Sequence, residues 1–280
     1  MMLCFAAASC DKPADPTPPS AVPPPVVAPP PSGPASPPQL PRLTPSILPT
    51  PSPLPERTPL SQQELATTDG EIAIGNLEGS LQSAEAMAKG PSGDAVVKSG
   101  FIALLCAHGQ YRGVLADYQR AEDLLPALLK TDAQEARSYL ARAEVRSIFH
   151  EFDAALADLA QAEKLDKDVA PQVLERRASL LAARDKLDEA LPIYHAIASQ
   201  RGDISTLGFE AALLGQRGEL AAAEALFIKA QNQFRDVTPF PLAWLYFQHG
   251  LMWEQHDNLA RAHELYAAAV ERLPSYEIGR

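Results

Sequence analysis

Residues 136–168, ARSYLARAEVRSIFHEFDAALADLAQAEKLDKD, decide the fold. Their pattern predicts two helices, 137–149 and 153–164, that turn at His150 and Glu151. Small side chains recur where the two would cross: Ala143 on the first helix, Ala155 and Ala162 on the second. Residues of that size let backbones approach closely, while Phe152 and Leu159 fill the remaining space. Such a pair cannot bury both of its faces alone, so it requires stacked neighbours of the same kind.

The neighbours are present. Tyr111, Phe152, Leu187, Leu220 and Leu259 recur as openers of second helices, at separations of 41, 35, 33 and 39 residues. Three residues after each stand Val114, Ala155, Ala190, Ala223 and Ala262; nine residues before stand Ile102, Ala143, Ala178, Ala211 and Gly250. Seven residues after come Tyr118, Leu159, Tyr194, Phe227 and Tyr266, and ten after come Ala121, Ala162, Ile197, Ala230 and Ala269. These five alignments resemble the tetratricopeptide repeat, a helix–turn–helix unit of about 34 residues. The resemblance spans residues 94–274 and implies an all-α, right-handed superhelical solenoid of about five units. The longer separations have local explanations: residues 125–134 extend the first unit past Pro126, and VTPFP at 237–241 predicts an extended link before the fifth. Pro192 is expected in the first turn of its helix, where its missing N–H is harmless.

Upstream, residues 61–89 carry Ile74, Leu77, Leu81, Ala84 and Ala88 on one helical face and predict a helix covering the first unit. Gly70, Gly75 and Gly79 each weaken it by about 1 kcal/mol relative to Ala, so it depends on docking. GPSGD at 90–94 ends that helix and caps the next.

Before residue 60 the composition changes. Twenty of the 27 prolines lie between Pro13 and Pro59, and residues 10–60 read as a proline-rich, disordered stalk. In polyproline II form this tract reaches on the order of 100–150 Å at about 3.1 Å per residue. A ligand for PxxP-reading domains is the weaker alternative, because basic residues do not accompany the prolines. The first ten residues, MMLCFAAASC, are apolar and small up to Cys10 and resemble the end of a bacterial lipoprotein signal. That resemblance implies removal of residues 1–9, lipidation of Cys10 and a periplasm-facing place in the cell envelope. The alternative is an unmodified cysteine in a disordered terminus of a secreted or cytoplasmic protein. Asp11 leaves the choice of membrane open. No run of 18 apolar residues follows.

Charge narrows the partners. Lys12, Arg42 and Arg57 balance Asp11, Asp15 and Glu56, so the net charge of −11 belongs wholly to residues after 60. An acidic body disfavours nucleic acid and direct adsorption to anionic lipid, which leaves a protein or peptide as partner and a lipid on Cys10 as the membrane contact.

Chemistry has little to stand on. His108, His150, His195, His249, His256 and His263 include no pair three or four residues apart, so no metal or other cofactor is expected. Cys106 sits in an apolar helix, where an inert buried thiol is the usual outcome. No nucleophile elbow, phosphate loop or dinucleotide fingerprint occurs, so no enzyme is expected.

What remains is a surface. In tetratricopeptide proteins the first helices line a concave groove. By resemblance this maps to Arg137, Leu140 and Glu144 in the second unit, Glu175, Arg176 and Ser179 in the third, and Phe209 and Ala212 in the fourth. The fifth supplies Trp244, Phe247, Gln248, Leu251, Glu254 and Gln255. Mixed charge in the middle and aromatics toward the end suit a peptide with an apolar anchor. The competing reading is that the charges are a solvated face and the aromatics pack on a neighbouring helix. The lysines and asparagines of the family's carboxylate clamp are absent. Arg142 and Arg177 precede Ala143 and Ala178 and are expected to reach a carboxylate such as Asp158 on the following helix. The sequence stops after VERLPSYEIGR without a polar capping helix, so the expectation is either a truncated end or a last unit that meets a partner or a second copy. The functional expectation is a protein-binding scaffold; an assembly or pilot lipoprotein with transient clients is the alternative.

Overall fold

The computed structural model describes residues 66–91 and 93–276, all within one compact unit. The signal-like stretch, Cys10 and the stalk lie outside the described residues. Those described form helices and no strand. A leading helix α1 (Gly70–Lys89) precedes five helix pairs. They are α2 (Ala95–Arg112) with α3 (Leu115–Thr131), α4 (Ala136–Ile148) with α5 (Phe152–Leu165), and α6 (Ala170–Ala183) with α7 (Leu187–Arg201). The last two are α8 (Ile204–Gln216) with α9 (Leu220–Gln233), and α10 (Phe240–Gln255) with α11 (Leu259–Arg272). Each helix packs on its partner, and successive pairs meet through α3 on α4, α5 on α6, α7 on α8, and α8 and α9 on α10, which makes the all-α solenoid expected from the repeats.

The small residues stand at the crossings. Ala155, Ala162, Ala178, Ala190, Ala211, Ala223, Ala230 and Ala269 are 0% exposed, and Ala143 and Ala262 nearly so. Larger side chains beside them supply most of the apolar burial: Leu159, Tyr194 and Phe227 are buried at equivalent places. Each such side chain, removed from water, stabilises by about 1.5–3 kcal/mol. Two glycines do the same work between pairs. A Cβ on Gly208 would lie 2.7 Å from the Trp244 ring, and one on Gly215 would lie 2.7 Å from Met252, so their absence lets α8 approach α10.

All five turns within pairs share one device. The residue two before the second helix is left-handed: Gly113, His150, Asp185, Gly218 and Asp257, with φ between 58° and 81°. In the last four turns the next residue donates its N–H five residues back, as in Glu151 to the Arg146 carbonyl and Lys186 to that of Leu181. The left-handed residue itself bonds to the carbonyl three before it, the two-bond closure that ends helices without further chain. Phe152, Leu187, Leu220 and Leu259 therefore each open a second helix, as the repeats predict.

The first pair departs from that alignment. Tyr111 does not open α3; it lies in the last turn of α2, and α3 starts at Leu115. The turn at Gly113 is shorter, so Val114 becomes the residue before the helix. In the third pair the buried small residue is Ala198, one past the expected Ile197. Pro192 stands in the second turn of α7, where its missing N–H removes a bond to the Asp188 carbonyl. The link before α10 is shorter than VTPFP, because Phe240 and Pro241 already belong to the helix, with proline in its first turn. Helix α1 starts at Gly70, capped by the Asp69 carboxylate on the N–H groups of Glu71 and Ile72; Asp94 caps α2 as expected.

The ends of the array meet. Ile74 and Tyr111 join the apolar cluster built from α6 to α11, while Leu81 packs with α2, α3 and α4. The Tyr111 ring stacks on Phe240 with centroids 4.3 Å apart, and Tyr276 fits between Tyr111 and Phe247. Thr68 N–H donates to the Val237 carbonyl at 2.7 Å. A Cβ on Gly70 would lie 2.7 Å from the Arg272 carbonyl oxygen. The open side expected on the fifth pair is thus covered by the chain itself, with Leu273 and Tyr276 fully buried.

Candidate interaction surface

The expected groove residues fall into three groups. Phe209, Phe247, Gln248 and Glu144 are buried, with Leu140, Ser179, Ala212 and Trp244. Glu175, Arg176 and Leu251 are half-buried, and Arg137, Glu254 and Gln255 are exposed. The buried aromatics fill space between pairs. Tyr194 stacks on Phe209 at 5.2 Å, Phe209 meets Trp244 at 4.7 Å, and Phe247 lies between Tyr266 and Tyr276.

The mixed charge is largely paired within the protein. Arg176 donates to the Leu140 carbonyl at 3.2 Å and to Glu144 at 3.3 Å, joining α6 to α4. Glu175 accepts from Arg201 at 2.5 Å, and Arg201 also holds Asp203. Tyr266 donates to Glu254 at 2.5 Å. Burial, then the Glu254 carboxylate, pushes the Tyr266 hydroxyl above the usual tyrosine range. Of the residues expected to meet a partner, the structure brings Glu144 and Arg176 together, turns Glu175 to Arg201, and leaves Arg137 and Glu254 at the surface on separate pairs.

Two polar clusters stand out, one foreseen in part from the sequence and one not. On α5, the buried Asp158 carboxylate accepts from Arg142 at 2.9 and 2.5 Å and from Arg146 at 2.7 Å. The Arg142 contact is the one expected; its bonds to Asp158 hold the guanidinium further up its already high range. Arg146, one turn on, shares the same acceptor. Arg177 instead reaches back to Glu163 on the preceding helix, at 3.5 Å. Between α9, α10 and α11, Glu224 meets His249 and accepts from Trp253 N–H at 3.0 Å, with Arg261 3.5 Å away. Burial pushes Glu224 upward, but the bonds from His249 and Trp253 and the Arg261 charge more than offset it, leaving the carboxyl below its usual range. Burial holds His249 below the usual histidine value against the pull of Glu224. A neutral imidazole donating to a carboxylate satisfies both. For the Glu224 cluster the partners, on α10 and α11, were too distant in sequence to assign.

Cys106 is buried, and burial raises its thiol far above the usual range, as expected of an inert cysteine. Among the described residues no three His, Cys, Asp or Glu side chains gather as metal ligands, and no helix is long and apolar enough to cross a membrane.

The surface also carries a cleft of about 370 Å³ between α3 and α4. Leu125, Pro126 and Leu129 form one wall, Val145 and Phe149 the other, and Glu122 and Glu151 stand among its lining residues. Arg142 and Arg146 also line it, tied to Asp158.

Together these features define a helix-pair solenoid of the tetratricopeptide type whose described side chains serve packing and a paired, acidic surface. No protein-family model matches the chain, and no curated protein matches it. Solved structures do. A tetratricopeptide repeat protein from Parabacteroides merdae superposes with a TM-score of 0.54 at 17% identity, over 75% of this chain and 80% of that one. Human IFIT1, solved as a dimer with m7Gppp-AAAA, gives 0.51 at 16% identity, over 73% of this chain and 50% of that one. YrrB, a tetratricopeptide protein with an unusual peptide-binding site, gives 0.38 at 16% identity, over 71% and 96%. The first two likenesses are of fold.

Proposed function

We propose that the chain is a non-enzymatic protein-binding scaffold, anchored in a bacterial envelope through a lipid on Cys10 and held off the membrane by its proline-rich tract. The observation that supports it best is how the described side chains are used. Alanines and aromatics stack five helix pairs, the buried carboxylates Asp117, Glu144, Asp158, Glu210 and Glu224 pair internally, and Arg137, Leu251 and Glu254 are left with exposure on first helices. A net charge of −11 favours a protein or peptide over a polyphosphate, even though human IFIT1 was solved with a capped RNA.

Photocrosslinking in the native cell tests the scaffold. A photoreactive residue at position 137 or 254 should yield a discrete crosslinked partner, while one at exposed Ala157 on a second helix should not. Absence of a crosslink at both first-helix positions, or equal capture at 157, would refute the assignment. The anchor is tested separately: Cys10→Ser should move the protein from the membrane to the soluble fraction, and unchanged fractionation would remove the lipid from the account.

A further inference from the structure

We infer that the α3–α4 cleft is a second docking site, for a basic segment of a partner protein that inserts one large apolar side chain. The inference rests on the scaffold reading but uses a different face from Arg137 and Glu254.

The apolar half of the argument is the cleft itself. Leu125, Leu129, Val145 and Phe149 line a space of about 370 Å³, near the lower end of ligand clefts. Phe149 is 40% exposed, the one aromatic among the large apolar side chains that stand well exposed in the described residues. An aromatic left at the mouth of an apolar cleft is the feature that recognition anchors use.

The polar half fixes the charge of the guest. Arg142 gives Asp158 a two-pronged contact and Arg146 adds a third bond, so the arginines that line the cleft are engaged by a buried carboxylate. The remaining polar groups accept. Glu122 is held by the neutral Gln119 amide at 2.9 Å, and Glu151 lies 3.6 Å from Arg146. Pro126 has no N–H to donate to the Glu122 main-chain carbonyl, which leaves a further acceptor on the same wall. The lining itself holds two carboxylates, Glu122 and Glu151, and two guanidiniums, and the buried Asp158 behind the guanidiniums tips the balance to acid, within residues that carry the whole net charge of −11. A lysine or arginine beside the inserted side chain complements this rim, whereas an acidic guest is repelled.

Fluorescence anisotropy with the full chain tests the inference, using three labelled peptides: Lys-Lys-Phe-Lys-Lys, Lys-Lys-Ser-Lys-Lys and Glu-Glu-Phe-Glu-Glu. The first should bind, and the other two should bind at least about tenfold more weakly. Leu129→Lys should weaken the first peptide about tenfold. The double variant Glu122→Gln, Glu151→Gln should weaken it several-fold and flatten its dependence on salt. Both carboxylates lie outside the core, so circular dichroism of the double variant should match the parent. Arg137→Ala and Glu254→Ala should leave this binding unchanged, which separates it from the first-helix face. No measurable binding, equal binding of the serine or glutamate peptide, or indifference to both cleft variants would overturn the inference.

Discussion

Replacing Gly70 by alanine sets helix propensity against the closure of the array. Three glycines punctuate α1, and by propensity alone each Gly→Ala change stabilises a helix by about 0.5–1 kcal/mol. At Gly75 and Gly79 the structure agrees, because an added Cβ meets nothing within 4 Å. At Gly70 it does not. The new methyl would sit 2.7 Å from the Arg272 carbonyl oxygen, 2.7 Å from Pro274 Cδ and 3.1 Å from Leu273 Cα. The carbonyl oxygen and Cα belong to backbone that cannot rotate away, so α1 must separate from the end of α11. Overpacking of that kind costs about 1–3 kcal/mol. The predicted gap between Gly70→Ala and Gly75→Ala is therefore about 1.5–4 kcal/mol, with opposite signs relative to the parent. Urea unfolding followed by far-ultraviolet circular dichroism measures both. If Gly70→Ala stabilises as Gly75→Ala and Gly79→Ala do, the first and last units do not touch and the closure is refuted.

Other consequences can be checked with the same assay. His150 holds φ of 60° at a place where Gly113 and Gly218 stand in other pairs, so His150→Gly should stabilise by about 0.5–1 kcal/mol; a loss would contradict the turn geometry. Asp158→Ala strands two half-buried guanidiniums and should cost about 2–4 kcal/mol, discounted for their partial exposure, whereas an unchanged midpoint would show the cluster to be inert. Acid should destabilise the fold in two stages. Burial keeps the folded His249 pKa below its unfolded value, so the unfolded chain takes up the proton first and stability declines as pH falls below about 6.5. Glu224, also below its unfolded value, adds a second decline as pH falls through the carboxylate range. His249→Gln should remove the first stage; a profile identical to the parent's would refute the assignment.

The helix pairs were legible because their spacing is local: an opener, a small residue three later and a buried aromatic or leucine seven later lie on one helix. The first pair was misaligned because its Gly113 turn is shorter, so Tyr111 looked like an opener when its ring was directed at Phe240. The closure itself was invisible, since Gly70 and Arg272 share no periodicity. Charge was misjudged for a related reason. Arg176 and Glu144 stand on different pairs and looked like free groove residues, yet they bond to one another. Phe209 and Phe247 looked like anchors for a peptide because the sequence does not show which neighbouring ring covers them. Asp158 was legible as the target of Arg142, but Arg146 as its second donor was not. The left-handed position two before each second helix was present in the sequence as His, Asp or Gly, and only the backbone joined those dissimilar residues into one feature.

The central claim is that small residues in one recurrent register hold the stacked pairs together. A matched pair of substitutions on second helices tests it: Ala190→Glu, where the side chain is 0% exposed, and Ala157→Glu, where it faces solvent. The account predicts that thermal unfolding shows a loss of several kcal/mol for Ala190→Glu and a change within about 0.5 kcal/mol for Ala157→Glu. Equal effects at the two positions would contradict it.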